Sequence, residues 1–270
     1  MKVSAFKFVK VLLIMLITIL GTVLFTLYTL SLYSSLNIST SQVYVIPSYL
    51  YVIYFIAGLI GFTALILLLI KLKLGGVIFW MFAVILTLIL VEFFSSFIGI
   101  FGIPLAILVS YYYYRKAGNT GRNIVNLAIF ITVGSVLALA LGVTFALVLT
   151  AVVAVYDYIA VFRTKHMVTL AKGMLDYGFF AGMILMAKRL KLPKDKFVIG
   201  GGDLIFPAML STAVFLSYPL PAFLLTTFGA TLGLALLLLL GRKGKAYPAM
   251  AAMGPMEILF FGIYILLSVI

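Results

Sequence analysis

Residues 143–163, VTFALVLTAVVAVYDYIAVFR, decide the fold, because they are almost entirely apolar until the chain reaches Asp157. Their length matches the roughly 20 apolar residues that a helix needs to cross a bilayer. A carboxyl group at bilayer depth is costly, so an intramembrane aspartate is by default a candidate functional residue. A second one, Asp203, follows a glycine triplet in the apolar run VIGGGDLIFP, residues 198–207. Two carboxyls that can be brought together are the minimum equipment for acid–base hydrolysis by aspartates.

The composition indicates a membrane protein. Hydrophobic residues make up 66% of the 270 residues and charged residues 9%, which excludes an ordinary soluble domain. The first apolar stretch follows Lys2, Lys7 and Lys10, is too long for a signal-peptide core, and is expected to be retained as a span. The chain has no Cys, which excludes disulfides, thiol catalysis and thiolate metal sites.

The apolar runs predict an all-α membrane protein with nine transmembrane helices. The third and fourth are joined at Ser95 and Ser96, and the fifth and sixth around Gly142. Spans one to six lie in a first region, 1–163. A basic cytosolic loop occupies 164–197, and spans seven to nine lie in 198–270. The predicted spans are 6–32, 49–70, 76–94, 97–114, 123–141, 143–163, 198–217, 220–240 and 247–270.

The distribution of basic residues predicts the orientation. With a cytosolic N-terminus and alternating spans, all 19 Lys and Arg residues fall on the cytosolic side. The opposite loops, such as 34–48 and 217–221, contain none. This is the asymmetry of the positive-inside rule, and it predicts an extracytosolic C-terminus. The net charge of +13 is therefore explained by topology, and no nucleic-acid partner is expected.

The same orientation predicts that the two aspartates lie at equal depth. Asp157 is six residues before Arg163, and Asp203 is seven residues after Lys196. At 1.5 Å per residue, both lie about 9–10 Å inside the cytosolic boundary. Spans six and seven run antiparallel, so the two carboxyls can face each other. The alternative is that each aspartate satisfies a separate polar neighbour.

Two further features lie near this level. Gly200, Gly201 and Gly202 allow a close backbone approach and a bend at the start of span seven. Irregular backbone at membrane depth must be buried in protein or line water, which suggests a wet cavity open to the cytosol. Pro248 either leaves a helical carbonyl without its donor or stands in the first turn of span nine.

Together these motifs resemble those of the presenilin/signal peptide peptidase family of intramembrane aspartyl proteases. The family carries Tyr-Asp, Gly-x-Gly-Asp and Pro-Ala-Leu in its sixth, seventh and ninth spans. The compact chain looks most like an archaeal presenilin homologue. Met250 stands where the family has Leu, and no proline follows it. The motifs in this chain are Tyr156-Asp157, Gly200-Gly201-Gly202-Asp203 and Pro248-Ala249-Met250.

The resemblance implies that Asp157 and Asp203 are the catalytic pair. It assigns substrate positioning to Tyr156, to the glycine triplet and to the segment 248–250. The expected partners are transmembrane-helix proteins or peptides within the lipid bilayer, and a homo-oligomer is left open. Two close carboxyls share one proton, so one can activate a water while the other protonates the scissile carbonyl. This mechanism needs no cofactor and no metal.

Other polar residues receive plainer interpretations. Glu92 is expected to reach interfacial water, His166 to be solvated, and Glu257 to form a buried hydrogen bond. The apolar segment 173–187 is too short for a span, and is expected to be an interfacial helix or a cover over the site. A proton- or cation-coupled transporter is the main alternative function, since it also requires intramembrane carboxylates and broken helices.

Overall fold

The computed structural model describes residues 5–35, 49–163, 182–185, 197–241 and 247–269, and these are mostly helical. A two-stranded antiparallel sheet pairs β1 (Gly182–Leu185) with β2 (Phe197–Gly200). The helices are α1 (Ala5–Ser35), α2 (Tyr49–Lys71), α3 (Gly75–Ile98), α4 (Gly102–Arg115), α5 (Asn119–Tyr158), α6 (Gly202–Ser217), α7 (Leu220–Leu240) and α8 (Ala249–Val269).

Six stretches of the described residues are helical, long and apolar enough to cross a membrane. Two of them, with 41 and 45 residues, are about twice as long as a single crossing requires. The apolar helix α6 is shorter, with 16 residues. The six are Phe8–Ser35, Ile53–Lys71, Gly75–Arg115, Asn119–Arg163, Leu220–Leu240 and Ala249–Ser268. A mostly helical, multi-pass protein is confirmed, the two-stranded sheet corrects the all-α prediction, and the count of nine and the orientation stay predictions.

Each of the two long stretches contains a break at glycine. Between α3 and α4, a 3₁₀ turn at Gly99–Phe101 begins with a positive φ of 57° at Gly99. A Cβ on Gly102 would lie 2.4 Å from the backbone nitrogen of Ser95, so the chain can fold back this tightly only with glycine there. The predicted junction at Ser95 and Ser96 was therefore wrong, because both serines belong to α3. Within α5, Gly142 has φ 63° and ψ −178°, a non-helical conformation at the predicted junction.

The described residues form two compact units, the first of which contains both aspartates. This unit includes α1, the second half of α5, α6, α7 and α8. Threonines of α1 face α5: Thr26 donates a hydrogen bond of 2.7 Å to the hydroxyl of Ser135, and Thr22 packs on Gly134. Such small and hydroxyl-bearing residues allow membrane helices to pack closely.

Helices α7 and α8 of this unit pack closely through two glycines. A Cβ on Gly229 would lie 2.5 Å from the carbonyl oxygen of Met256, and one on Gly233 would lie 2.7 Å from that of Ala252. The two glycines are four residues apart and therefore lie on one face of α7. This Gly-x-x-x-Gly pattern leaves α8 little freedom to shift along α7.

The second unit contains α2, α3, α4, the first half of α5 and the sheet. The amide nitrogen of Asn126 donates a hydrogen bond of 2.7 Å to the carbonyl of Gly182, at the start of β1. The hydroxyl of Tyr113 donates to the Asn126 side-chain oxygen at 3.1 Å. The guanidinium of Arg122 lies over the Tyr113 ring, 5.6 Å from its centroid. A buried polar chain thus ties the sheet to two helices.

The sheet corrects two predictions from the sequence. Residues 182–185 form a strand, so the helical interpretation of 173–187 was wrong there, and the rest of that segment lies outside the described residues, as does His166. Span seven was predicted to begin as helix at 198, but 197–200 are a strand and α6 begins at Gly202. A run such as Val198-Ile199 suits a buried strand as well as a helix, and only pairing with β1 decides between them.

Candidate active site

Asp157 lies in the last turn of α5, where a π-helical turn, Ile159–Arg163, follows. Its side chain is only 7% exposed. One carboxylate oxygen, Oδ2, accepts a hydrogen bond of 3.0 Å from the backbone N–H of Met250. The N–H of Ala251 also donates to this carboxylate. A residue 93 positions away in sequence therefore orients the first candidate aspartate.

The donors belong to the first turn of α8. The first N–H groups of any helix have no intrahelical acceptor, and the aligned peptide dipoles attract negative charge to that end. Pro248 directly precedes α8, so the interpretation of this proline as part of a helix start is the one that the structure supports. Pro248, Ala249 and Met250 are all buried. The segment 248–250 contacts Asp157 through a backbone N–H, so the side chains of the segment do not reveal this role.

Asp203 lies in the first turn of α6, in the same compact unit as Asp157, and is half-buried. The preceding glycines make the change from strand to helix. Gly200 ends β2, where it pairs with Gly182; Gly201 lies in a bend, and Gly202 is the first residue of α6. The sheet therefore leads into the second candidate aspartate within three residues.

The remaining predicted residues lie on three helices, α3, α5 and α8. Tyr156 is half-buried beside Asp157 on α5. Glu92 is exposed, and its expected contact with interfacial water stays a prediction. Glu257 is fully buried and accepts a hydrogen bond of 3.1 Å from the hydroxyl of Ser211, as its expected buried hydrogen bond requires.

Sequence reasoning missed three residues that the structure places in these contacts: Ala251, Ser211 and Asn126. Ala251 acts through its backbone, so its identity gives no signal. Ser211 and Asn126 are polar residues in otherwise apolar stretches, and that is a usable signal, because buried polar groups in a membrane need partners. Their partners are 46 and 56 residues away, which spacing alone does not reveal.

This site can hold a carboxylate in a fixed orientation within a membrane protein. The N–H of Met250 donates to Oδ2 of Asp157 and the N–H of Ala251 to the same carboxyl group, and these contacts restrict its orientation. A second carboxyl begins α6, the helix whose Ser211 is bonded to α8. Two positioned carboxyls suit proton transfer to and from a substrate amide.

Comparisons with known proteins agree with the motifs. Residues 3–270 match the family model described as signal-peptide peptidase, presenilin aspartyl protease. None of the curated protein sequences compared with the chain matches it.

Two solved structures, both described as a presenilin family intramembrane aspartate protease, are similar to the chain. The first, in space group C222, has 23% identity, covers 94% of this chain and 99% of its own, and gives a TM-score of 0.66. The second, in space group P2, has 28% identity, covers 92% and 97%, and gives a TM-score of 0.61. The resemblance drawn from the three motifs is thereby confirmed, and the chain belongs to the signal peptide peptidase and presenilin family of aspartyl proteases.

Proposed function

We propose that this protein hydrolyses peptide bonds within transmembrane segments, with Asp157 and Asp203 as its catalytic pair. The family and the similar structures support an intramembrane aspartyl protease. The observation that carries the residue assignment is the bond from Met250 to Asp157, because it joins two of the three motifs at a buried carboxylate. Asp203 supplies the second carboxyl from the third motif, of the Gly-x-Gly-Asp type.

The proposed chemistry uses one shared proton. The ionised carboxyl takes a proton from a water, whose oxygen attacks the scissile carbonyl carbon, while the protonated carboxyl gives its proton to the carbonyl oxygen. The tetrahedral intermediate then loses its amine, which takes a proton from the carboxyl that had accepted one, while the other carboxyl takes back a proton from a hydroxyl of the intermediate as its C=O bond re-forms. The C–N bond breaks, a carboxylic acid and an amine form, and the pair returns to its starting state. No cofactor takes part in this cycle.

A transmembrane substrate must unwind before its amides can react, because a helix hides them in its own hydrogen bonds. Backbone groups freed in lipid need new partners. We propose that the unwound segment pairs as a strand with irregular backbone near Pro248 and the start of α6. Main-chain pairing of this kind binds extended peptides with little dependence on their sequence.

Nine spans with a cytosolic N-terminus remain part of this proposal. The two long helical stretches count as two spans each when they are divided at Gly99 and Gly142. Together with α1, α2, α6, α7 and α8, this gives nine. Both aspartates then lie near the cytosolic side, where water can reach them. The comparisons give no support to the transporter alternative.

The test is substrate cleavage by matched acid-to-amide variants. Asp157→Asn and Asp203→Asn keep the size of each side chain and remove its ability to exchange a proton. We expect each to lower turnover roughly 10⁴-fold or more, because a catalytic unit fails when either member is lost. Glu92→Gln makes the same chemical change at an exposed carboxyl and should retain wild-type turnover.

Purified protein is incubated with a panel of single-span membrane proteins, and product masses are measured by mass spectrometry. Fragments cut within the apolar segment support the proposal. Normal turnover in either Asn variant refutes the assignment of the pair, and movement of protons or cations without any fragment would favour a transporter.

A further inference from the structure

A second polar contact lies about two helical turns along α8 from the Asp157 site. The hydroxyl of Ser211 on α6 donates to Oε1 of Glu257 on α8 at 3.1 Å, and both residues are 0% exposed. Glu257 is seven residues after Met250, so the two lie on one face of α8, about 10 Å apart along its axis. Ser211 is eight residues after Asp203, about 12 Å along α6. The two helices are therefore tied together two turns below the aspartates.

Helix α8 is consequently in contact both with Asp157 and with the helix that carries Asp203. Its first turn binds Asp157 directly, and its Glu257 binds the helix that begins with Asp203. Two other contacts hold α8 firmly in place. A Cβ on Gly254 would lie 3.0 Å from the Cβ of Ala154 on α5, and α7 meets α8 through its two glycines.

Stability is a poor explanation for a carboxyl at this position. Oε2 of Glu257 has no hydrogen-bond partner among the residues that the structure describes. A buried polar oxygen without a partner is unfavourable, and hydrogen bonds between membrane helices add little net stability. An apolar side chain of similar size would avoid this cost, since buried polar contacts are often replaced by apolar ones without loss.

We propose that Glu257 is a positioning residue that sets the axial register of α6 against α8, and thereby the placement of Asp203 relative to Asp157. Its carboxyl acts through Ser211 and does not touch the substrate. This inference rests on the proposed catalytic role of the two aspartates. A misplacement of about 1 Å in a catalytic group can cost about 100-fold in rate, so a single remote bond of this kind can control turnover.

The test compares variants that break the bond with variants that keep it. Glu257→Met and Ser211→Ala remove the bond from opposite sides, and we expect each to lower kcat about 10- to 100-fold with KM unchanged. The double variant should be no worse than Glu257→Met, because both changes remove one interaction. Glu257→Gln retains an acceptor for the Ser211 hydroxyl, so this variant should keep kcat near the wild-type value.

Thr212→Val is the matched control, since Thr212 is also fully buried and its hydroxyl has no partner among the described residues. It should keep wild-type kcat. Thermal unfolding in detergent should show Glu257→Met to be as stable as wild type or more so. If Glu257→Met does not fold, Ser211→Ala alone decides the matter.

Three outcomes would overturn the inference: wild-type kcat in Ser211→Ala, a loss in Glu257→Gln as large as in Glu257→Met, or an equal loss in Thr212→Val. Asp157→Asn, run in the same assay, separates this inference from the proposed function. An active Asp157→Asn refutes the catalytic pair, whereas an inactive Asp157→Asn beside a fully active Glu257→Met refutes only the positioning role.

Discussion

At the scale of single residues, Asp157 depends on a backbone donor rather than on a side chain. The N–H of Met250 is present whichever residue occupies that position, except proline. This explains why Met can stand where the family carries Leu without loss of the contact. Substitutions that preserve the side chain's bulk are therefore a weak probe of the segment 248–250, and removal of the N–H is the informative change.

Met250→Pro removes this donor at a position in the first helical turn, where proline is tolerated. We expect kcat to fall about 10- to 100-fold, because the Asp157 carboxyl loses a bond that orients it. Met250→Leu keeps the N–H and should retain wild-type kcat. Steady-state cleavage of one single-span substrate measures both variants. Equal activity of the Pro and Leu variants would show that the backbone bond has no catalytic role.

The shared proton of the aspartate pair predicts a bell-shaped dependence of activity on pH. Activity falls at low pH, where both carboxyls are protonated, and at high pH, where the pair has lost the shared proton. Hydroxyl-containing transition-state analogues place their hydroxyl where the attacking water sits, so their affinity should weaken along the alkaline limb. Cleavage rates and inhibition constants across a pH series test this. Inactivation by chelation that zinc reverses would indicate metal chemistry instead.

At the scale of secondary-structure elements, features that depend on the local sequence were predictable, whereas features that depend on long-range contacts were not. Apolar length is a local property, so α1, α2 and α7 begin and end within three residues of their predicted bounds. The strand β2 was missed because its apolar residues continue into α6, and only pairing with β1 makes them extended. The break at Gly99 was placed too early, because the close approach of Gly102 to Ser95 is a tertiary contact.

The candidate site divides in the same way. Asp157 and Asp203 could be identified because a carboxyl in an apolar run is visible in the sequence. The partner of Asp157 could not, since a backbone N–H has no sequence signature. Glu257 was expected to form a hydrogen bond, but the identity of Ser211 depends on how α6 and α8 pack. Folding thus supplies the partners for polar residues that composition singles out.

The packing of α7 on α8 gives a prediction at this scale. Gly229→Ala places a methyl group against the carbonyl of Met256 and should lower the free energy of unfolding by about 1–3 kcal/mol, the usual cost of overpacking. Gly262→Ala makes the same change on α8 with nothing within 4 Å of the new Cβ, so the better helix propensity of alanine should leave stability equal or raise it. Unfolding of both variants in one detergent provides the measurement. Equal stability of the two would contradict the close α7–α8 contact.

At the scale of the whole molecule, the apolar helices do not determine which side of the membrane each loop faces. The placement of the basic residues predicts this orientation. All 19 Lys and Arg residues lie in cytosolic segments of the nine-span arrangement or at the cytosolic ends of its spans. One span more or fewer would move a basic cluster to the other side, against the bias that orients membrane proteins. The same orientation places the N-terminal end of α8 and the Asp157 end of α5 together at the cytosolic side, as their hydrogen bond requires.

This topology is tested with reporters fused to the two ends of the chain. A reporter that works only in the cytosol should be active at the N-terminus and inactive at the C-terminus. A reporter that works only outside should show the reverse, because an odd number of spans separates the two ends. A third reporter in the loop 164–197 should be cytosolic, since seven of the basic residues lie in this loop. Finding both ends on one side would refute nine spans. An extracytosolic loop 164–197 would place both aspartates near the wrong face, and would require a different route for the water that hydrolysis consumes.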